Sequence, residues 1–204
     1  MKLFKFKSVE PYTHVLDILQ NERIYCPTFD QLNDPFEGFL GVRPPEPQGT
    51  PDVNFIRRVS SYWEEHTEKL RDYRVCSLSK SNNEILMWAH YSAGFQGICI
   101  EFELPDSCPD LYKVKYESDV SSISPESPID YLTTKLDCWA YENEYRVITT
   151  DEKYLDITGA IRNVYVGGRV NENVMNDILN YLLQSDWGLK IARPNPKNGC
   201  IEFA

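Results

Sequence analysis

The sequence predicts an α+β fold, a mixed but largely antiparallel sheet with flanking helices, on three observations. Its strand-like segments alternate apolar with polar residues, most clearly at 97–103, where Ile98, Ile100 and Phe102 interleave with Cys99, Glu101 and Glu103. That pattern belongs to a sheet with one buried face. Helix-like and strand-like segments follow one another irregularly, which argues against a doubly wound parallel sheet. No internal repeat is visible, and 204 residues with 42% hydrophobic and 13% aromatic side chains suit one domain, 1–204, with a large core.

Taken in order, Leu3, Phe4 and Phe6 between lysines make a short first strand, and 11–21 makes the first helix, with Val15, Leu16, Ile18 and Leu19 as its apolar stripe. Residues 23–26 read as a strand. Thr28 and Gln31 then have the spacing of a capping box, opening a short turn of helix that stops at Asn33-Asp34-Pro35. Four prolines within 43–51 forbid a regular element there, so one surface loop is expected near 41–51. Val53, Ile56, Val59, Trp63 and Leu70 recur at helical intervals over 52–72, the longest helix predicted.

A strand at 73–79 ends in Ser77-Leu78-Ser79. Ser81 and Glu84 match a second capping box, predicting a helix through Ala93 that Gly94 closes. Residues 97–103 and 111–117 each read as one strand, the second with Lys113 and Lys115 outward. A second surface loop is expected near 118–129. Leu132, Leu136 and Trp139 predict a helix over 131–139, running into a strand from Tyr145 to Thr149. A strand at 161–166, a helix capped by Asn171 and carrying Val174, Ile178 and Leu182, and edge strands at 189–192 and 201–203 complete the list.

Charge and cysteine usage narrow the function. A formal charge of −10, from 31 acidic against 21 basic residues, opposes nonspecific nucleic-acid binding, which draws its free energy from phosphate neutralisation. No apolar run approaches the roughly 20 residues of a membrane span, and 1–7 lacks a signal-peptide core, so a cytoplasmic protein without membrane partners is expected. The six cysteines contain no C-x-x-C pair and the three histidines no metal-ligand spacing. The cysteines are therefore read as reduced, mostly buried apolar residues, and no metal site is assigned.

Four stretches can carry chemistry. Asn33-Asp34-Pro35-Phe36-Glu37 is dense in turn chemistry, either a turn anchored by Phe36 or a loop lining a pocket. His90 and Tyr91 end a predicted helix face shared with Leu86; in a pocket they suit hydrogen bonding to a sugar hydroxyl or proton transfer near neutral pH. Ser77 and Ser79 face one side of a strand end. Glu142, Glu144 and Arg146 share one side of an extended reading, either as a solvated edge strand or as a carboxylate pair. In such a pair one carboxylate orients an acceptor, while the other holds a ribose hydroxyl and stabilises the cationic character of a breaking glycosidic bond.

Two resemblances follow from these residues. Leu3-Phe4-Lys5-Phe6-Lys7, Asn33-Asp34-Pro35-Phe36-Glu37, Met87-Trp88-Ala89-His90-Tyr91 followed by Gly97, and Trp139 to Arg146 together resemble a prokaryotic family of domains of unknown function. More distantly, Glu142-Asn143-Glu144 leading into Tyr145-Arg146-Val147 is similar to the Glu-x-Glu of the ADP-ribosyltransferase superfamily. That likeness implies a split sheet, Glu144 as catalytic carboxylate and Glu142 as acceptor-positioning residue, with Ser77-Leu78-Ser79 in place of that superfamily's Ser-Thr-Ser strand end. Where the superfamily usually has an Arg or His on its first strand, this chain offers Lys5 and Lys7.

The implied function is NAD-dependent: cleavage of the nicotinamide–ribose bond and transfer of ADP-ribose to a protein or nucleic-acid acceptor, in a toxin or phage-defence setting. Ser77, Ser79, His90, Tyr91 and Lys5 would hold NAD. A non-enzymatic ligand- or protein-binding module is the alternative reading. A third is a metal-dependent nuclease using Asp34, Glu37, Glu142 and Glu144 as the oxygen ligands magnesium prefers.

Overall fold

The computed structural model describes residues 1–150 and 152–204. The first half of the chain gives β1 (Lys2–Ser8), α1 (Tyr12–Asn21), β2 (Arg23–Tyr25), a 3₁₀ turn at Phe29–Gln31, α2 (Val53–Leu70), β3 (Arg74–Ser79), α3 (Ile85–Tyr91) and β4 (Gly97–Glu103). There follow β5 (Leu111–Lys113), β6 (Lys115–Glu117), α4 (Pro128–Tyr131), β7 (Thr134–Leu136), a 3₁₀ helix at Asp137–Glu142 and β8 (Glu144–Thr149). The chain finishes with β9 (Tyr154–Asp156), β10 (Ile161–Gly167), α5 (Glu172–Leu182), β11 (Gly188–Pro194) and β12 (Ile201–Phe203).

Eight strands form one sheet in the order β12-β11-β10-β4-β1-β3-β8-β5, antiparallel except between β10 and β11. Two small pairs, β2 with β9 and β6 with β7, stand outside it. The α+β class with a largely antiparallel sheet and flanking helices is thus what the residues build. One junction is unusual. β1 stays in register with β4 along its whole length, and β3 with β8 likewise, but β1 and β3 share a single registered pair, Phe4 with Ser79.

One face of the sheet buries Leu3, Cys76, Leu78, Ile98, Ile100, Phe102, Val147, Val164 and Val166 against Val15, Ile18 and Leu19 of α1 and Ile178 and Leu182 of α5. The opposite face is divided. Phe4, Phe6, Cys99 and Tyr165 pack with Met87 and Trp88 of α3 on one half. Val75 and Ile148 pack with Phe29, Leu70 and Leu132 on the other. Between these two apolar patches, Ser77, Ser79, Glu144 and Arg146 point to the same side, because directly opposed residues of an antiparallel pair share a face.

Several sequence expectations are corrected. β4 is buried on both faces from Gly97 to Phe102, because α3 and the β1 phenylalanines cover the side expected to be wet. Gly97 fits that crowding: a Cβ there would lie 2.3 Å from the Lys7 carbonyl oxygen. The strand expected over 111–117 breaks at buried Val114, whose N–H bonds the Glu144 carbonyl, and its two halves join different sheets. Ser81 does not cap α3; Glu84 does, accepting from Leu86 N–H at 3.3 Å, while the Ser81 hydroxyl donates to Asn83. That helix ends at Tyr91 rather than Ala93, and Gly94 N–H closes onto the Ala89 carbonyl.

The helix expected over 131–139 is absent. Thr133 and Thr134 turn their hydroxyls back onto the carbonyls of Ile129 and Asp130, at 2.7 and 2.8 Å, which closes α4 and frees 134–136 for a strand. The long helix α2 is present, but its expected stripe is only half used. His66 and Leu70 are buried, whereas Val53 and Ile56 lie in the open at the other end. The loop near 118–129 contains a 3₁₀ turn at Val120–Ser122 and the start of α4, and β9 was not anticipated.

Candidate functional site

Where β1 and β3 part, the structure has a cleft of about 340 Å³. Its walls come from β1 (Phe4 to Ser8), the loop after the first 3₁₀ turn (Asn33, Glu37), β3 (Ser77 to Ser79) and α3 (Met87, His90, Tyr91). Pro27, Gln31 and Leu32 add to the wall, and Lys135, Glu142, Glu144 and Arg146 form its floor. Lys5, Ser77, Ser79, His90, Tyr91, Glu142 and Glu144, seven residues scattered over 140 positions of sequence, therefore line one cavity.

The turn at Asn143 sets the two glutamates. Asn143 adopts a left-handed conformation (φ 44°), which asparagine tolerates. Its N–H bonds the Ala140 carbonyl at 3.2 Å, and its carbonyl accepts from Lys80 N–H at 3.0 Å. Glu142 thus ends a 3₁₀ helix instead of lying on extended backbone with Glu144, yet both side chains reach the same cation. Ser79 supports this turn from below, its hydroxyl donating to the Glu142 carbonyl at 2.7 Å.

That shared cation is Lys135. Its ammonium donates to Glu142 Oε2 at 2.6 Å and to Glu144 Oε2 at 3.1 Å, and it lies 5.0 Å from the centre of the Trp139 ring. Arg146, with no exposed surface, spends all five of its N–H donors. Nε reaches Glu144 Oε1 at 2.9 Å, and Nη2 reaches Glu144 Oε2 at 3.1 Å and Glu37 Oε2 at 2.9 Å. Nη1 donates to Glu37 Oε1 and, at 2.6 Å, to the Leu132 carbonyl. The solvated edge strand considered for 142–146 is therefore wrong: β8 lies inside the sheet, covered on its outer side by β5.

The network returns to the loop it leaves. Asn33 Nδ2 donates to the Tyr91 hydroxyl at 3.3 Å, and that hydroxyl donates to Glu142 Oε1. From Glu142 the path runs through Lys135, Glu144 and Arg146 to Glu37, four residues after Asn33. Phe36 does not anchor this loop, being 52% exposed. Buried Asp34 does, with Oδ1 accepting from Phe36 N–H at 2.9 Å. His90 stands at the exposed rim, its Nδ1 3.0 Å from the Tyr141 hydroxyl.

Glu142 and Glu144 differ in what they can still accept. Burial opposes ionisation of Glu144, but Arg146 and then Lys135 override it and hold its carboxyl at about 2. Burial, and next the charge of Glu144, push Glu142 the other way, above the usual carboxylate range. Glu144 receives two bonds from Arg146 and one from Lys135, which takes up three of the roughly four lone-pair positions of a carboxylate. Glu142 receives two, from Tyr91 and Lys135, leaving two open in the cleft. Burial and the Glu142 hydrogen bond raise the Tyr91 phenol well above its ordinary value, so it stays a donor.

The cleft wall on β1 is basic. Lys5 Nζ donates to the Ser77 carbonyl at 2.9 Å, pinning the parted strands by a side chain where no ladder bond joins them. Half-buried Lys7 stands two residues on, and burial and then the charge of neighbouring Lys5 lower its pKa.

Acid should expose the difference between the glutamates. Glu144 has a folded pKa of about 2 against 4.5 for a free carboxyl, so its stabilisation is present above pH 4.5 and is lost as pH falls toward 2. That amounts to about 3 kcal/mol. Glu142, raised instead, has the opposite sign and favours the fold most below pH 4.5. Urea unfolding at pH 5, 4 and 3 should show a steep loss in the native chain and a shallower one in Glu144→Gln; parallel curves would contradict the assignment.

Lys135 and Tyr141 were not singled out from sequence. A lone lysine inside an expected helix carries no signal, and only the β7 strand aims it at the glutamates. Asp34 and Glu37 of the nuclease reading do not join Glu142 and Glu144 as a ligand set. The Glu37 oxygens face Arg146, and among the described residues no group of three or more His, Cys, Asp or Glu side chains is arranged to hold a metal ion. Among the described residues, too, no helix is long and apolar enough to cross a membrane. Comparison with protein-family models, curated proteins and solved structures gave no match to this chain.

Proposed function

We propose that the chain is an ADP-ribosyltransferase-like enzyme, cleaving the nicotinamide–ribose bond of NAD and passing ADP-ribose to an acceptor. The observation that carries this reading is the charge layout of the cleft. Its floor holds three carboxylates (Glu37, Glu142, Glu144) against two cations (Lys135, Arg146), an excess of one negative charge, while Lys5 and Lys7 line the wall. A dinucleotide has the matching polarity, an anionic pyrophosphate and a ribose that turns cationic as its glycosidic bond breaks. A fixed carboxylate beside that ribose lowers the barrier, since it is worth more as positive charge develops.

The parting of β1 from β3 supports reading the sheet as split in the manner of that superfamily, with the cleft in the split. A volume of 340 Å³ lies at the small end of ligand pockets and suits the nicotinamide–ribose half of NAD. Roles shift between the glutamates. Glu142, with accepting positions left, takes the ribose side; Glu144 fixes Lys135 and Arg146. Tyr91 orients Glu142, and His90 at the rim meets the acceptor.

Purified protein incubated with NAD should release nicotinamide, measured by chromatography, and Glu142→Gln should slow release about 100-fold with little change in melting temperature. If NAD neither binds nor is consumed with any acceptor, the proposal fails. If NAD binds but stays intact, the protein is a binding module.

A further inference from the structure

Behind the cleft wall, the short segment after β2 crosses β3 through an isolated antiparallel bridge between Thr28 and Arg74, with Val75 N–H donating to the Pro27 carbonyl at 2.8 Å. Extending that register by two residues sets Cys26 directly opposite Cys76. Opposed residues of an antiparallel pair share a face, and both cysteines belong to the same apolar cluster. Each thiol perturbs the ionisation of the other, so the two sulfurs are neighbours, and the Cys26 thiol donates to the Ile24 carbonyl at 3.6 Å. At a position of this type the Cα atoms stand about 4.5–5.5 Å apart, inside the span a disulfide bridges.

We propose that Cys26 and Cys76 are an oxidation site, closing reversibly to a disulfide that ties the segment after β2 to β3. A hydroperoxide is the co-reactant. One thiolate attacks its outer oxygen, giving a sulfenic acid and releasing the alcohol, or water from hydrogen peroxide. The second thiol then displaces water from that sulfur as the S–S bond forms. Two thiols and one hydroperoxide thus give one disulfide, one alcohol and one water.

Each thiol acts on the other's ionisation, burial disfavours both thiolates and the Lys5 ammonium favours both. Either cysteine can react first, and the other resolves. Buried Cys99 has a raised pKa from burial and is placed with the opposite patch of core. The site also abuts the cleft. Pro27 and Ser77, the residues following each cysteine, line it, and the Ser77 carbonyl is the one Lys5 holds. Oxidation therefore fixes two cleft walls relative to one another, whatever ligand the cleft takes.

The test uses the full chain with Cys108, Cys138 and Cys200 changed to serine, leaving Cys26, Cys76 and Cys99. Native protein is exposed to hydrogen peroxide, unfolded in an alkylating agent and digested for mass spectrometry. The expected result is a Cys26–Cys76 cross-linked peptide with Cys99 alkylated, removal of the cross-link by dithiothreitol, and a higher melting temperature for the oxidised form. Cys26→Ala and Cys76→Ala, each checked for folding by its melt, should each abolish the cross-link. Recovery of both cysteines as alkylated thiols, after peroxide has oxidised exposed Cys138 in the native chain, overturns the proposal. So does over-oxidation of either cysteine without a cross-link.

Discussion

Replacing Arg146 with methionine is expected to cost about 3–5 kcal/mol of unfolding free energy, the usual penalty for removing one partner of a fully buried ion pair. Arg146 has no exposed surface and faces two carboxylates that are also buried. Methionine fills much of the volume but leaves Glu37 without its paired cation and Glu144 with Lys135 alone, and it frees the Leu132 carbonyl. For a chain of this length that is a drop in melting temperature of about 6–20 °C. The triple variant Glu37→Gln/Glu144→Gln/Arg146→Met should recover part of the loss, because it removes the uncompensated charges along with their partner. A single-variant loss below about 1 kcal/mol, the range of exposed pairs, would mean that water reaches this network.

The comparison with hydrophobic packing matters for function. A buried ion network is often no more stable than apolar residues of the same size, so stability alone does not explain five charged side chains between two apolar patches. Their arrangement is better understood as positioning. Each cation holds two carboxylates, each end of the chain of contacts ties to the 33–37 loop, and Glu142, which accepts from one cation where Glu37 and Glu144 are each gripped by the Arg146 fork, keeps accepting positions in the cleft.

Much of this was legible in the sequence, and the failures have physical causes. Strand periodicity located β1, β3, β4, β8 and β10 because each pairs along most of its length in the central sheet. The conspicuous short motifs located Asn33, Ser77, His90, Tyr91 and the two glutamates, since each sits at the end of an element where the chain turns into the cleft. Periodicity failed at 131–139, where Leu132, Leu136 and Trp139 mimic a helix while two adjacent threonines cap the preceding turn. It also failed on α2, whose apolar stripe outruns the core available to cover it. The ion network was out of reach because its central lysine arrives on a strand that only tertiary contacts define.

Lys135→Met supplies the sharpest separation between the glutamates. Burial by itself would lower the lysine's pKa; Glu144 and Glu142 overcome that and keep the ammonium charged. Without it, Glu144 retains Arg146, whereas Glu142 retains only the Tyr91 hydroxyl beside a neighbouring negative charge. Glu142 should then take up a proton, its folded pKa rising further above the 4.5 of a free carboxyl. A raised folded pKa gives stability that is intact below the unfolded value and lost as pH climbs through the folded one. The variant should therefore lie close to the native chain at pH 4.5 and fall behind it by about 3 kcal/mol toward pH 8. Lys135→Met/Glu142→Gln should remove that pH dependence, because the group that titrates is gone. A deficit in Lys135→Met that is the same at every pH would place the lost charge on Glu144 instead, and with it the assignment of Glu142 as the carboxylate facing the cleft would fall.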